Sequence, residues 1–255
     1  MNNNPIGVFD SGVGGISTLN ELTKQFPNER FIFYGDTKNA PYGSKTPDEV
    51  FQCTQRVMDE LLAQHVKAVV IACNTATSAA KPRLMQAYPE TPIVGIEPAL
   101  KEAIDDGSHN ILVMGTQLTV HLPKFQTMMA KYQSDHNIYA VPCPGLADYV
   151  EGGMTDPAAL NELLTTLLAP YLDKPIDGIV LGCTHYPFVR DAISALFKPG
   201  IPVHTGFEGV AKQLRHVLVE HDGLTAATTP GDVTWMSSEP DAVDYYQSLY
   251  DMLKK

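Results

Sequence analysis

Short apolar runs recur along the chain: IGVF from Ile6, FIFY from Phe31, AVVIA from Ala68, IVGI from Ile93, ILVM from Ile111, IYAV from Ile138, GIVLG from Gly178 and PVH from Pro202. They are continuous rather than alternating, as strands buried on both faces are, and helical patterns separate them. This predicts an α/β protein of mainly parallel sheet flanked by helices. Helix starts are legible too. Thr46-Pro47-Asp48-Glu49 reads as a capping box with proline at the first helical position, feeding Val50, Phe51, Val57, Met58, Leu61 and Leu62. Asp156-Pro157 opens a second helix carrying Leu160, Leu163, Leu164, Leu167 and Leu168.

Two runs share one plan. Val69-Val70-Ile71-Ala72-Cys73-Asn74-Thr75 and Ile179-Val180-Leu181-Gly182-Cys183-Thr184-His185 each give an apolar strand, a small residue, a cysteine, then side chains suited to a helix start. Upstream of each lies an opening strand, ending in Asp10-Ser11-Gly12 in one half and Gly115-Thr116 in the other. The echo suggests two similar halves facing each other. Ligands of open parallel sheets bind beyond the carboxyl ends of strands. Opposed halves would therefore bring Cys73 and Cys183 from opposite walls of one cleft.

Composition narrows the setting. The 255 residues suffice for one large α/β domain or two smaller ones, each with its own core. A formal charge of −11 argues against gripping nucleic acid or an anionic membrane through a general basic surface. No run approaches the roughly 18 apolar residues of a membrane helix, and the first residues do not read as a secretory signal, so a cytoplasmic protein is expected. Cys53, Cys73, Cys143 and Cys183 are widely spaced without a CxxC pair, which favours free thiols.

Each motif has competing readings. Asp10-Ser11-Gly12-Val13-Gly14-Gly15 follows a strand like a nucleotide loop, but the third glycine of GxGxxG would fall on Ser17. A tight turn placing Asp10 and Ser11 at the cleft is the better reading. Cys73 and Cys183 could be packing, bases or, with His185, zinc ligands, although the usual zinc spacings are missing. His185, two residues after Cys183, could share a proton with that thiol or merely cap the turn. Gly35-Asp36-Thr37 and Pro41-Tyr42-Gly43 could be turn punctuation, or could bring Tyr42 over a ligand with Asp36 behind it. Cys53 and Cys143 default to structure. A thiol redox enzyme would want a resolving cysteine nearby, and a non-catalytic amino-acid-binding protein would not need two matched thiols.

These motifs, with Cys73-Asn74-Thr75-Ala76, Gly115-Thr116 with Thr119, and Cys183-Thr184-His185-Tyr186-Pro187, resemble the glutamate racemases of the aspartate/glutamate racemase superfamily, in order and over nearly the full chain. The resemblance implies two pseudosymmetric α/β domains with the active site between them. Residues 1–97 plus 207–255 would carry Asp10 and Cys73, and 98–206 would carry Cys183 and His185. It further implies cofactor-independent interconversion of L- and D-glutamate, the latter for peptidoglycan, commonly by a homodimer and with no metal. Cys73 would be the base for D-glutamate, helped by Asp10, and Cys183 the base for L-glutamate, helped by His185. Ser11, Tyr42, Gly43, Asn74, Thr75 and Thr184 would touch substrate. Asp36, Thr116, Thr119 and Glu151 are secondary candidates. The sequence departs from the family pattern at Asn39, where arginine is common, and at His204-Thr205-Gly206, where an Asp-Ser pair often stands. A racemase for aspartate or another acidic amino acid is the nearest alternative.

Overall fold

The computed structural model describes residues 2–254. Two parallel sheets carry the chain. The first holds β1 (Ile6–Asp10), β2 (Phe31–Gly35), β3 (Ala68–Ile71), β4 (Ile93–Gly95) and β9 (Val233–Ser237), in the order β4-β3-β1-β2-β9. The second holds β5 (Asn110–Gly115), β6 (Asn137–Pro142), β7 (Gly178–Leu181) and β8 (Val203–Thr205), in the order β6-β5-β7-β8. Every strand pair is parallel. Read from the opposite edge, the second order is β8-β7-β5-β6, which repeats β4-β3-β1-β2. Only β9 has no counterpart.

The repeat extends to register. Phe9 pairs with Ile71 in the first sheet and Met114 with Leu181 in the second. One residue on, Ala72 N donates to Phe9 O at 2.8 Å and Gly182 N to Met114 O at 2.7 Å. Cys73 and Cys183 are each the next residue after that bond. The sequence echo is therefore a repeat of register, in which one slipped position would turn a thiol to the opposite face.

The helices are α1 (Gly15–Gln25), α2 (Pro47–Ala63), α3 (Asn74–Ala87), α4 (Leu100–Asp105), α5 (Gln117–His121), α6 (Pro123–Ala130), α7 (Leu146–Glu151), α8 (Pro157–Leu168), α9 (Arg190–Ser194), α10 (Phe207–Glu220) and α11 (Val243–Leu253). The capping box that opens α2 is formed: Glu49 N donates to Thr46 Oγ1 at 3.3 Å while Thr46 N donates to Glu49 Oε2 at 2.8 Å. Asp156 Oδ1 caps α8 by accepting from Ala158 N and Ala159 N, both at 3.0 Å.

β9 was not among the strands expected from the apolar runs. Its sequence, Val-Thr-Trp-Met-Ser, alternates, and it lies at an edge with β2 as its one neighbour. Half-exposed strands do not produce the continuous signal of the central ones. The core is likewise shared: one apolar cluster runs from Ile6, Val8 and Val70 through Val13, Ile16 and Val150 to Leu112, Met114 and Leu181. Each large side chain fully buried in it contributes roughly 1.5–3 kcal/mol. The cluster is continuous across the two sheets.

Candidate active site

The end of β1 meets the loop after β7. Asp10, fully buried, accepts from Gly12 N at 3.0 Å through Oδ2, while its Oδ1 accepts from Thr184 Oγ1 at 3.0 Å. Glu151, at the end of α7, receives Val13 N at 2.9 Å and lies 2.5 Å from His185 Nε2 through the same Oε1. The approach is close enough to demand glycine. A Cβ on Gly14 would stand 2.5 Å from His185 Nδ1 and 2.6 Å from Thr184 Oγ1, and one on Gly12 would collide with Glu151.

Both thiols are 5% exposed, but their surroundings differ. Cys73 is the N-cap of α3; its Sγ accepts from Ala76 N at 3.4 Å and its thiol donates to Ser11 Oγ at 3.7 Å. Ser11 Oγ in turn donates to Asp10 Oδ2 at 3.5 Å, so the hydrogen-bonded path from Asp10 to Cys73 runs through Ser11. Burial pushes the Cys73 thiol well above its usual range, and the nearby Asp10 adds to the effect. Burial also raises the Asp10 carboxyl, against the opposing pull of His185 and the Gly12 N–H.

Cys183 Sγ lies 3.6 Å from His185 Nδ1. The expected helix start is absent here. In α3 the first helical bond is Thr77 N to Cys73 O at 2.9 Å; the corresponding position after Cys183 is Pro187, which has no N–H to give. Tyr186 N closes a tighter bond to Cys183 O at 3.2 Å instead, and a 3₁₀ turn over Tyr186–Val189 precedes the short α9. His185 itself has helical backbone angles, so its contact with Cys183 is made by this turn. Burial alone would push the imidazole down, but its bonds to Cys183 and Glu151 outweigh that and hold it well above the usual value.

The remaining candidates surround these groups. Thr75 Oγ1 meets Thr116 Oγ1 at 3.0 Å and Thr119 Oγ1 at 3.1 Å, joining the start of α3 to the start of α5. Tyr42 OH donates to Asp36 Oδ2 at 2.6 Å, and Asn39 Nδ2 donates to Asp36 Oδ1 at 2.8 Å. A Cβ on Gly43 would stand 2.7 Å from that of Thr116, so the loop after β2 closes onto the second half. Asn74 is buried and its Oδ1 has no partner. Cys143 and Cys53 border these groups: Cys143 Sγ bonds Val141 O, with burial and then Cys183 pushing its thiol up to about 12, Tyr186 OH donates to Cys143 O at 3.4 Å, and Cys53 receives Arg56 from the same helix.

One group of three metal-type donors gathers among the described residues, formed by Glu102, Asp106 and His204. It lies on α4, the residue after it, and β8. Sequence reasoning missed the close approach at Gly14 and the bonds made by Ser17, whose Oγ reaches Gly14 O at 2.7 Å and Thr184 O at 3.0 Å. The available signal was the serine in place of the third glycine.

The profile of the Asp/Glu/hydantoin racemase family matches residues 6–214 of this chain. The chain belongs to that family. The glutamate racemase of Clostridium acetobutylicum is 44% identical to this chain over 255 residues, covering 99% of each chain. A solved glutamate racemase isoform from Bacillus anthracis superposes with a TM-score of 0.87 at 27% identity, covering 99% of this chain and 94% of that one. The Francisella tularensis glutamate racemase, solved in complex with D-glutamate, gives 0.83 at 25% identity over 98% and 94%. This racemase chain is thus matched along its length, in sequence and in both sheets. No helix among its described residues is long and apolar enough to cross a membrane.

Proposed function

We propose that this racemase interconverts L- and D-glutamate without a cofactor, using Cys73 and Cys183 as two bases on opposite faces of Cα. The observation that carries the reading is the repeated register, which sets two buried thiols at equivalent strand ends of two sheets joined by the Asp10–Thr184 and Val13–Glu151 bonds. Inversion by proton transfer needs an acid and a base on opposite sides of one carbon, because a single base mainly returns the proton it took. In the L-to-D direction the Cys183 thiolate takes the α-proton and the Cys73 thiol delivers another from behind. The reverse direction exchanges their roles.

The surroundings of the two thiols fit this order. Burial and Asp10 favour Cys73 as the thiol, and the bonds to Cys183 and Glu151 favour the protonated His185 ring, which can give a proton to the Cys183 side and, once neutral, take one back. Asp10 supports Cys73 through Ser11 and holds the substrate ammonium; Asn74 Oδ1, buried without a partner, is a second acceptor for it. The carbanion charge spreads into the α-carboxylate, so donors preorganised there in a dry site supply the stabilisation. The amides opening α3 serve that end, and the Thr184 hydroxyl joins them when it turns its proton from Asp10 Oδ1 to the substrate. The hydroxyls of Thr75, Thr116 and Thr119, with Tyr42 and Gly43 beside them, hold the side-chain carboxylate.

The proposal extends to organisation. The chain divides into domains 1–97 plus 207–255 and 98–206, works in the cytoplasm as a homodimer, and supplies D-glutamate to peptidoglycan synthesis. The test is to offer purified protein L-glutamate and L-aspartate in D₂O, without pyridoxal phosphate or metal, following optical rotation and deuterium at Cα. Loss of rotation with deuterium entering glutamate supports the reading. Exchange with aspartate alone gives the neighbouring specificity, and exchange with neither leaves a binding protein.

A further inference from the structure

We infer that Ser17, in the first turn of α1, is a positioning residue for the Cys183-Thr184-His185 turn, acting through the Thr184 carbonyl. Pro187 creates the need. In a 3₁₀ turn the donor to Thr184 O would be the N–H of Pro187, which does not exist. The donor one residue further on, Phe188 N, is committed to His185 O at 3.2 Å. Thr184 is 2% exposed, so an unpaired carbonyl there would be costly.

Ser17 meets that need from the opposite half. Its Oγ, itself buried, lies 3.0 Å from Thr184 O and 2.7 Å from Gly14 O. One hydroxyl proton is shared between two acceptors, but they are not equally dependent on it. Gly14 O already receives Ser17 N at 3.1 Å. Thr184 is therefore held at both ends by the first half: its side chain by Asp10 and its carbonyl by Ser17. Between those anchors the turn lies against Gly14, where there is no room for a Cβ. A glycine at position 17 would complete the dinucleotide pattern but could not supply the hydroxyl. The departure from that pattern is what this site requires.

The catalytic consequence rests on the proton-transfer role proposed above for Cys183, so the test reads the thiols separately from turnover. In the full-length protein, iodoacetamide labelling of Cys73 and Cys183 is followed across pH by peptide mass spectrometry, beside kcat/KM for glutamate. Ser17→Ala is expected to lower kcat/KM by about tenfold, the effect of one buried carbonyl losing its donor. It should also displace the labelling profile of Cys183 and leave that of Cys73 in place. Ser17→Thr and Ser17→Val supply a pair of equal shape that differ in the hydroxyl; Thr is expected to restore both readouts and Val to fail. Equal behaviour of Thr and Val, or a shift of both thiols together, overturns the inference. If Cys183→Ala keeps wild-type turnover, the two-base reading falls, while the labelling contrast still decides the role of Ser17.

Discussion

After β3 the chain enters α3, a helix of 14 residues, whereas after β7 it makes a tight turn and reaches only short helical pieces. The strands arrive in the same register, so the difference begins with the residues just beyond each cysteine. Thr77 can donate the first helical bond and Pro187 cannot. Cys73 consequently sits among peptide N–H and hydroxyl groups, and Cys183 beside an imidazole that a carboxylate holds. A duplicated scaffold can thus place two like groups symmetrically and still give them unlike acid–base company. Pro187 sets the difference in backbone, and His185 with Glu151 the difference in charge.

The largest test of this comparison removes each thiol in turn. Cys73→Ala and Cys183→Ala are each expected to lower racemisation by about 10³-fold or more, the scale of a lost acid–base group, while thermal melting stays cooperative. Circular dichroism of L- and of D-glutamate tracks the loss, and substantial turnover in either variant would sink the two-base scheme.

Next in size is Gly14→Ala, which pushes a methyl group against the His185 ring and Thr184. A displacement approaching 1 Å at a reacting group costs on the order of 10²-fold. Here kcat should fall, with His185 resonances moving in an NMR spectrum and the amide of Ala76 staying in place. Equal disturbance at both cysteines would mean that the halves are not independently tuned.

A subtler change is Glu151→Gln, which leaves the geometry and removes the negative partner of His185. Because the bonds to Cys183 and Glu151 hold the imidazole above its ordinary value, losing one lets it deprotonate at lower pH. The alkaline limb of the kcat profile should move toward acid. The corresponding sign holds for stability: a group raised by folding stabilises most below its unfolded value and loses that contribution as pH rises through the folded one. The variant therefore loses stability mainly in acid to neutral buffer, which melting curves at two pH values will show.

Legibility tracked locality. Central strands, the capping box at Thr46 and the cap at Asp156 were readable because continuous apolar runs and nearest-neighbour bonds leave marks in adjacent residues. The cysteine echo was readable because duplication preserved it. The edge strand β9 was not, since its alternating pattern lacks that continuity. The helix anticipated after Cys183 failed because Thr184 and His185 have the composition of a helix start, while the deciding residue stands at the position that must donate the first bond. Ser17 and Gly14 act across the two halves, so their partners lie far along the chain.

The bonds from Asp10 to Thr184 and from Val13 to Glu151 close the space in which the thiols lie, leaving Thr184 and His185 each 2% exposed. A charged amino acid cannot diffuse into such a space, nor its enantiomer out of it, unless those bonds part and the sheets swing away from each other. On the function proposed above, each turnover would then include an opening and a closing of this space. An added viscogen would then probe when the two walls, rather than the proton, set the pace.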